Sequence, residues 1–535
     1  MRKVKRALIS VWDKSGVVEL ALELHRHGAE IVSTGGTASR LREAGIPVVD
    51  ISEITKKPEA FGGRMKTISY EVASGILFDR ERDAKEAEAL GIGAIDMVVC
   101  NLYPFVEYRD KGLALDELIE YVDIGGPTMI RAAAKNFRGV AVLTRPQDYQ
   151  AVVEELGANH GALSLETRTR LMRIAFSQTA AYDSTIADHM DQLAGQPSVR
   201  LHYSGAEQLR YGENPHQAAL YFAGSAENGG FGGMEVLGGK ELSYNNLVDL
   251  AGALDAVADV EEPCVAIIKH TNPCGLAAAP KLESAFGLAW AGDPVSAFGS
   301  VIAFNRPLSM ETAHCLELDH EEKSRRKFVE IVAAPEFEAG VVEYLRKHKS
   351  LRILRMDPGA NRPARDLKFV RGALLVQDND GKLYDKLEQV TQYGTGPIDE
   401  PLLKFGMVAV RQVKSNAIVV VRRTGDAMQL LGMGSGQPNR VNSTSLALER
   451  AVATLEAEYD GDPAGRDLYV KQQLGLAYLV SDAFFPFPDS VRMAAAYGIR
   501  AIFQPGGSIR DKEVVQACDE LHVAMVMTGI RHFKH

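Results

Sequence analysis

The chain has 535 residues, with 60 Lys and Arg against 70 Asp and Glu for a formal charge of −10, and it is 46% hydrophobic and 24% charged. That make-up is an ordinary soluble globular protein's and excludes a disordered or collagen-like chain; at roughly 150 residues per domain it holds three or four domains' worth of chain, or fewer large ones. The acidity argues against a general nucleic-acid binder, whose counterion release needs a basic surface, but leaves room for local basic pockets that hold phosphate.

The opening Met1-Arg2-Lys3-Val4-Lys5-Arg6 is followed by only a short apolar run before Asp13, and no stretch approaches the roughly 20 apolar residues of a membrane helix. It reads as neither a signal peptide nor an anchor. Next come an apolar strand at 7–11, an amphipathic helix at about 15–27 with Gly28 at its end, and a strand at 30–33. The turn Thr34-Gly35-Gly36-Thr37 leads into a short helix ending near 44 and a strand at 48–50. This βαβαβ pattern predicts a mostly parallel sheet, extended by strands at 96–100 and 140–143 and closed by a helix at about 165–190. A boundary follows at Ala194-Gly195-Gln196-Pro197-Ser198, giving domains 1–195 and 199–535. The region 224–239 is Gly-rich and reads as loop and turn. Buried strands are expected at 264–268, 301–304, 369–376, 417–421, 501–504 and 523–527, and helices at 246–260, 443–459, 490–497 and 511–521. The length of 199–535 suits two α/β lobes. The five cysteines (Cys100, Cys264, Cys274, Cys315, Cys518) form no C-x-x-C pair and read as reduced thiols in a cytoplasmic protein.

Three segments carry chemistry. The loop Ser33-Thr34-Gly35-Gly36-Thr37 joins a strand to a helix start, where free N–H groups and the helix dipole make an anion site; a Gly-Gly turn with a Thr N-cap is an equally good account of it. It matches neither a Walker A loop nor a dinucleotide fingerprint. Nearby Gly62-Gly63-Arg64-Met65-Lys66-Thr67 and Lys14 supply cations and a hydroxyl that suit a phosphorylated small ligand. In Asp123-Ile124-Gly125-Gly126-Pro127 a helix opens and runs on to Lys135, on one face with Thr128 and Arg131; from spacing alone a solvated helix face is the better account of Lys135. Lys269-His270-Thr271-Asn272-Pro273-Cys274-Gly275 ends the strand 264–268, where α/β folds gather active-site side chains, and adjacent cations favour a neutral imidazole that can act as base. Pro273-Cys274 suggests a zinc nucleobase deaminase, but the second cysteine and the H-x-E element are missing, so zinc is not expected.

Over nearly its whole length the sequence resembles the bifunctional purine-biosynthesis family that joins an IMP cyclohydrolase to an AICAR transformylase. The matching elements are the 33–37 loop, Gly63-Arg64-Met65-Lys66-Thr67, Asn101-Leu102-Tyr103-Pro104-Phe105 and 123–136, then Arg210-Tyr211-Gly212-Glu213-Asn214-Pro215-His216-Gln217, 240–246, 269–275, 293–299, Gly434-Ser435-Gly436-Gln437, 481–487, 504–510 and Thr528-Gly529-Ile530-Arg531-His532-Phe533. The resemblance implies an α/β fold: an N-terminal methylglyoxal-synthase-like parallel-sheet domain followed by two cytidine-deaminase-like α/β lobes without zinc. It implies formyl transfer from 10-formyltetrahydrofolate, as co-substrate, to the 5-amino group of AICAR, then dehydrative closure of FAICAR to IMP, with no catalytic metal. It also implies a cytoplasmic homodimer with no nucleic-acid or membrane partner.

Residue by residue, the resemblance makes His270 the base, Lys269 the cation for the developing oxyanion and Asn416 the group that holds imidazole or substrate. Arg210, Tyr211, Gly299, Glu330, Arg440, Phe484 and Arg531 match AICAR positions, and Val441, Asp489, Ser490, Ser508 and Ile509 match folate positions. In the first domain Lys135 matches the proton-transfer residue, with Asp123, Lys66 and Tyr103; Ser10, Lys14, Thr34, Gly35, Gly36, Thr37, Arg64, Thr67, Cys100 and Asn101 would cradle the nucleotide. The sequence departs from the pattern at Ile68-Ser69-Tyr70, where His-Pro is usual after an apolar residue, at Trp12, where a small residue is usual, and at Ser300. Loss of the histidine leaves as an alternative a monofunctional transformylase whose first domain binds nucleotide without catalysis.

Overall fold

The computed structural model describes residues 1–223, 230–360, 362 and 364–535; the stretch 224–229 of the Gly-rich region lies outside them. The chain divides into two compact units, 1–202 and 203–535.

In the first unit the short apolar runs pair as a five-stranded sheet in the order Val48–Asp50, Glu30–Ser33, Arg6–Ile9, Met97–Val99, Ala141–Leu143, every neighbour parallel. Ala7, Leu8 and Ile9 are wholly buried because helices cover both faces. The helix Val17–Arg26 buries Val17, Leu20, Ala21 and Leu24, one stripe at 3.6-residue spacing, and Gly28 takes the left-handed conformation just past its end. Winding reverses between the first and fourth strands in chain order, Arg6–Ile9 and Met97–Val99. Their carboxyl ends therefore flank the crevice where doubly wound folds bind ligands.

The second unit is built on one twelve-stranded mixed sheet. Its halves repeat a single plan. Cys264–Lys269 and Asn272–Ala278 form a hairpin, Ser300–Phe304 runs antiparallel to the first strand, Val329–Ala334 and Arg352–Arg355 add in parallel, and Glu235–Gly238 closes the edge antiparallel. Ile418–Thr424, Ala427–Gly434, Tyr478–Ser481, Ala501–Gln504, Ala524–Met527 and the edge Glu388–Gln389 follow the same order and directions. Each hairpin carries a bulge on its second strand, leaving Cys274 and Leu431 unpaired, and the next residue is a glycine. A Cβ on Gly275 would come within 2.1 Å of Ala289 O, and one on Gly432 within 2.2 Å of Ala447 O. Ala289 and Ala447 each stand eighth in the following helix, Leu282–Gly292 or Arg440–Glu458. The halves join through antiparallel pairing of their second strands, Ala277 opposite Gln429. That pairing brings the carboxyl end of Cys264–Lys269 to the same sheet end as the start of Ile418–Thr424.

Three expectations are corrected. The run 369–376 is not one buried strand but part of an exposed hairpin, Arg365–Val370 with Ala373–Asp378, because Arg371 and Gly372 both take positive φ and turn the chain in its middle. The segment 269–275 does not merely end the strand 264–268: after His270-Thr271 it returns as a seven-residue strand, Asn272–Ala278, its proline accommodated beside the bulge. Within the Gly-rich region, Glu235–Gly238 is an edge strand. Among the described residues no helix is long and apolar enough to cross a membrane.

Candidate active sites

At the first unit's crevice Asn101 ties the loops after the two central strands together. Its Oδ1 accepts from Trp12 N (2.6 Å) and Asp13 N (3.0 Å), and its Nδ2 donates to Asp13 O (2.8 Å). Ser10 N donates to Val99 O, and the buried Thr37 hydroxyl bonds both N and O of Val11. Thr34 caps the helix Gly35–Glu43 with extended backbone but no side-chain bond, so that helix start keeps N–H groups for a ligand. Two lysines border it. A Cβ on Gly35 would lie 3.9 Å from Lys66 Nζ and one on Gly36 3.7 Å from Lys14 Cε. Converging lysines on a helix N-terminus make an anion cradle.

Beside the cradle, Asp123 accepts from Gly126 N at 2.7 Å and its own N–H donates to Tyr182 OH at 2.9 Å. Burial holds its carboxyl above the usual carboxylate range, against the pull of the Gly126 and Tyr103 N–H groups. Burial and then the Asp123 charge raise the Tyr103 phenol, with Lys66 opposing; burial and Asp123 likewise push the Cys100 thiol up. Asp123, Tyr103, Cys100 and Lys66 therefore share one electrostatic neighbourhood. Thr67 joins them, since a Cβ on Gly125 would come within 2.9 Å of its Oγ1. Arg64 is exposed and paired with Glu120. Lys135 is not brought to this cluster within the unit: it stands exposed in the last turn of Gly125–Lys135, roughly 15 Å along the axis from Gly125.

In the second unit the end of Cys264–Lys269 meets the second half. Asn272 Oδ1 accepts from Lys414 N at 3.1 Å, linking the His270 turn to Lys414-Ser415-Asn416. Lys269 Nζ donates to Phe298 O at 2.6 Å, and a Cβ on Gly299 would lie 3.8 Å from that Nζ. Asn416 is held at both ends of its carboxamide, Nδ2 to Gln437 O and Oδ1 from Arg440 Nη2, each 2.8 Å. Arg440, 6% exposed, also pairs with Asp482, which is wholly buried and accepts from Ser415 Oγ at 2.6 Å. The Arg440 guanidinium thus braces the protein itself. The chain's end adds to the brace, with Lys534 N donating to Ser415 Oγ and Ser415 N to Lys534 O, both at 3.0 Å.

Of the expected folate positions, Val441 and Ser490 are drawn together where Thr444 Oγ1, one turn beyond Val441, bonds Ser490 Oγ at 3.1 Å. Asp489 opens the helix Asp489–Tyr497, and Ser508 and the fully exposed Ile509 follow the strand Ala501–Gln504 at the same sheet end. Phe484 lies in the loop after Tyr478–Ser481, half-buried. Arg210 stacks over Tyr211 at 5.2 Å, Glu330 pairs with the buried Arg352, and Arg531 covers Phe533; among the described residues no hydrogen bond or ion pair joins these to Lys269 or Asn416. The sequence reading gives no role to Asn272, Gln437 or Asp482, although each lies in a matched motif, and does not single out Asp249. Asp482 sits inside the 481–487 motif, but a partner 42 residues away leaves no mark in local spacing. Among the described residues no group of three His, Cys, Asp or Glu could hold a metal.

A family model described as the AICARFT/IMPCHase bienzyme matches residues 133–450, and one described as an MGS-like domain matches 16–128. Three relatives carry the name bifunctional purine biosynthesis protein PurH. That of Clostridium botulinum (strain Hall) is 42% identical over 534 residues, that of Acetivibrio thermocellus 43% over 547 and that of Persephonella marina 42% over 546; each alignment covers 99% of this chain and 100% of the relative.

Proposed function

The chain belongs to the AICARFT/IMPCHase bienzyme family, and from that premise we propose how its residues divide the two reactions. It is a bifunctional enzyme of purine synthesis, transferring a formyl group to AICAR and closing the FAICAR ring to IMP. The reading of the first unit as a binding module without catalysis is not favoured, since full-length relatives carry the bifunctional name.

Formyl transfer belongs to the second unit. The AICAR amine is a weak nucleophile because its lone pair delocalises into an imidazole bearing a carboxamide. His270 takes its proton as the amine attacks the formyl carbon of 10-formyltetrahydrofolate, and Lys269 stabilises the oxyanion that forms. Asn416 orients the reacting groups from the facing half. Arg210, Tyr211, Gly299, Glu330, Arg440, Phe484 and Arg531 serve AICAR, and Val441, Asp489, Ser490, Ser508 and Ile509 serve folate. The observation that carries this reading is the Asn272–Lys414 hydrogen bond, which joins the Lys269-His270 turn of one half to the Asn416 loop of the other. The repeated plan of those halves supports two cytidine-deaminase-like lobes.

Ring closure belongs to the first unit. Attack is intramolecular, so orientation supplies much of the rate. Lys14, the 34–37 loop and Lys66 hold the phosphate, while Asp123, Tyr103 and Lys66 move the protons that turn the formyl oxygen into departing water; Lys135, which stands away from that cluster in its own unit, is kept as a proton-transfer residue on the family's pattern. Five free cysteines support a cytoplasmic setting, and we take the family's homodimer as the working assembly, with no nucleic-acid or membrane partner.

The test is a two-cuvette assay on the purified chain. AICAR with 10-formyltetrahydrofolate should yield tetrahydrofolate and IMP, and FAICAR alone should yield IMP. His270→Ala should abolish the first reaction and spare the second, and Lys135→Ala the reverse. Formyl transfer surviving in His270→Ala removes the base assignment; undiminished ring closure in Lys135→Ala removes that residue's role.

A further inference from the structure

We propose that Asp249 is a positioning residue for formyl transfer, its carboxylate holding the backbone of His270 and Thr271 in the left-handed turn that presents the imidazole. This inference rests on the reading of His270 as the base. Lys269 and Asn272 are paired across the hairpin, so His270 and Thr271 are its entire loop. A two-residue loop with positive φ at both positions is the type I′ turn, and its usual occupants are Asn, Asp and Gly. Here φ is 52° at His270 and 64° at Thr271, and a β-branched residue at such an angle is strained. A strained turn persists only where its surroundings over-determine it.

Asp249 supplies that restraint. It lies on Tyr244–Ala258, a helix anchored at its start by a capping box between Ser243 and Asn246. Its Oδ1 accepts at 2.7 Å from Thr271 N, the N–H of the peptide that joins the two turn residues. Burial raises its carboxyl pKa, opposed chiefly by the Thr271 N–H. A half-buried carboxylate spends an acceptor on the peptide between the two strained residues, where a histidine and a threonine stand in place of glycine. The turn's far side is fixed by Asn272, through Lys414 N. The imidazole is thus set by a rigid helix on one side and the second half of the sheet on the other.

The test is steady-state formyl transfer by Asp249→Ala, Asp249→Asn, Thr271→Gly and the Asp249→Ala/Thr271→Gly double variant, with His270→Ala in the same series. Asp249→Ala should lower kcat by about ten- to hundredfold, the scale of a misplaced catalytic group, with the AICAR KM within about twofold of wild type. Asp249→Asn keeps an acceptor oxygen and should lose less, which keeps the test open if the alanine variant folds poorly. Thr271→Gly should be near wild type. Because glycine takes positive φ without strain, it should rescue Asp249→Ala in the double variant to within a few-fold of Thr271→Gly alone. A wild-type kcat in Asp249→Ala overturns the inference, as does a double variant no better than Asp249→Ala, for then Asp249 does not act through the turn. Formyl transfer surviving in His270→Ala would overturn the underlying reading instead.

Discussion

Asp123 shows a site residue held at a cost to the fold. Burial raises its folded pKa above the unfolded value of about 3.9, so its favourable contribution is complete below about pH 3.9 and is lost as pH rises through the folded value. Above its folded pKa the ionised carboxylate therefore works against stability. Asp123→Asn keeps an oxygen for the Gly126 N–H and removes that charge. It should melt no lower than wild type at pH 7 while losing FAICAR closure, and calorimetry with the closure assay checks both; a markedly lower Tm would mean that the carboxylate is structural. Trp12, one of only two tryptophans, meets Tyr103 edge-on at 5.2 Å and hangs on the Asn101 clamp. In a Trp290→Phe variant, IMP binding should change the remaining tryptophan emission, and a flat titration would remove Trp12 from the nucleotide's surroundings. Local geometry that rests on neighbours in sequence, such as the strand-to-helix turn at Thr34 to Thr37, was legible from the chain. Asp249 was not, because its partner lies 22 residues away across a helix and a strand.

Elements were legible where one short apolar run makes one buried strand: 264–268 and 501–504 both lie within or on their strands. The hairpin at 365–378 escaped because apolar residues flank its turn closely on both sides, Phe369-Val370 and Ala373 to Val376, and the lone Gly372 reads as part of one run. The second hairpin strands escaped because glycine and proline, normally strand breakers, stand at the bulges. Those glycines have a stated purpose: Gly275 and Gly432 let the following helix lie on backbone with no side chain between. Gly432→Ala would drive a methyl into Ala447 O and force the helix outward, an overpacking expected to cost about 1–3 kcal/mol or more. Denaturant unfolding should show the second unit weakened and formyl transfer reduced, with FAICAR closure at the wild-type rate. A wild-type midpoint would mean that helix and strand adjust freely, and the tight approach would then carry no energy.

For the whole chain, the chemistry explains why two reactions belong together. Formyl transfer exchanges one N-formyl bond for another, whereas closure forms an aromatic ring and expels water, so the second step draws the first forward. That coupling needs only a shared pool of FAICAR, because each compact unit carries its own core and its own candidate residues. Mixing His270→Ala, defective in transfer, with Asp123→Asn, defective in closure, should therefore restore IMP formation from AICAR and 10-formyltetrahydrofolate after a lag in which FAICAR accumulates. Neither variant alone should make IMP from AICAR above the uncatalysed rate. The lag should shorten as the His270→Ala protein is raised, since closure then limits the flux. If the mixture stays silent although His270→Ala still closes supplied FAICAR, the transfer site does not release FAICAR to solution, and a shared pool cannot be what couples the two reactions.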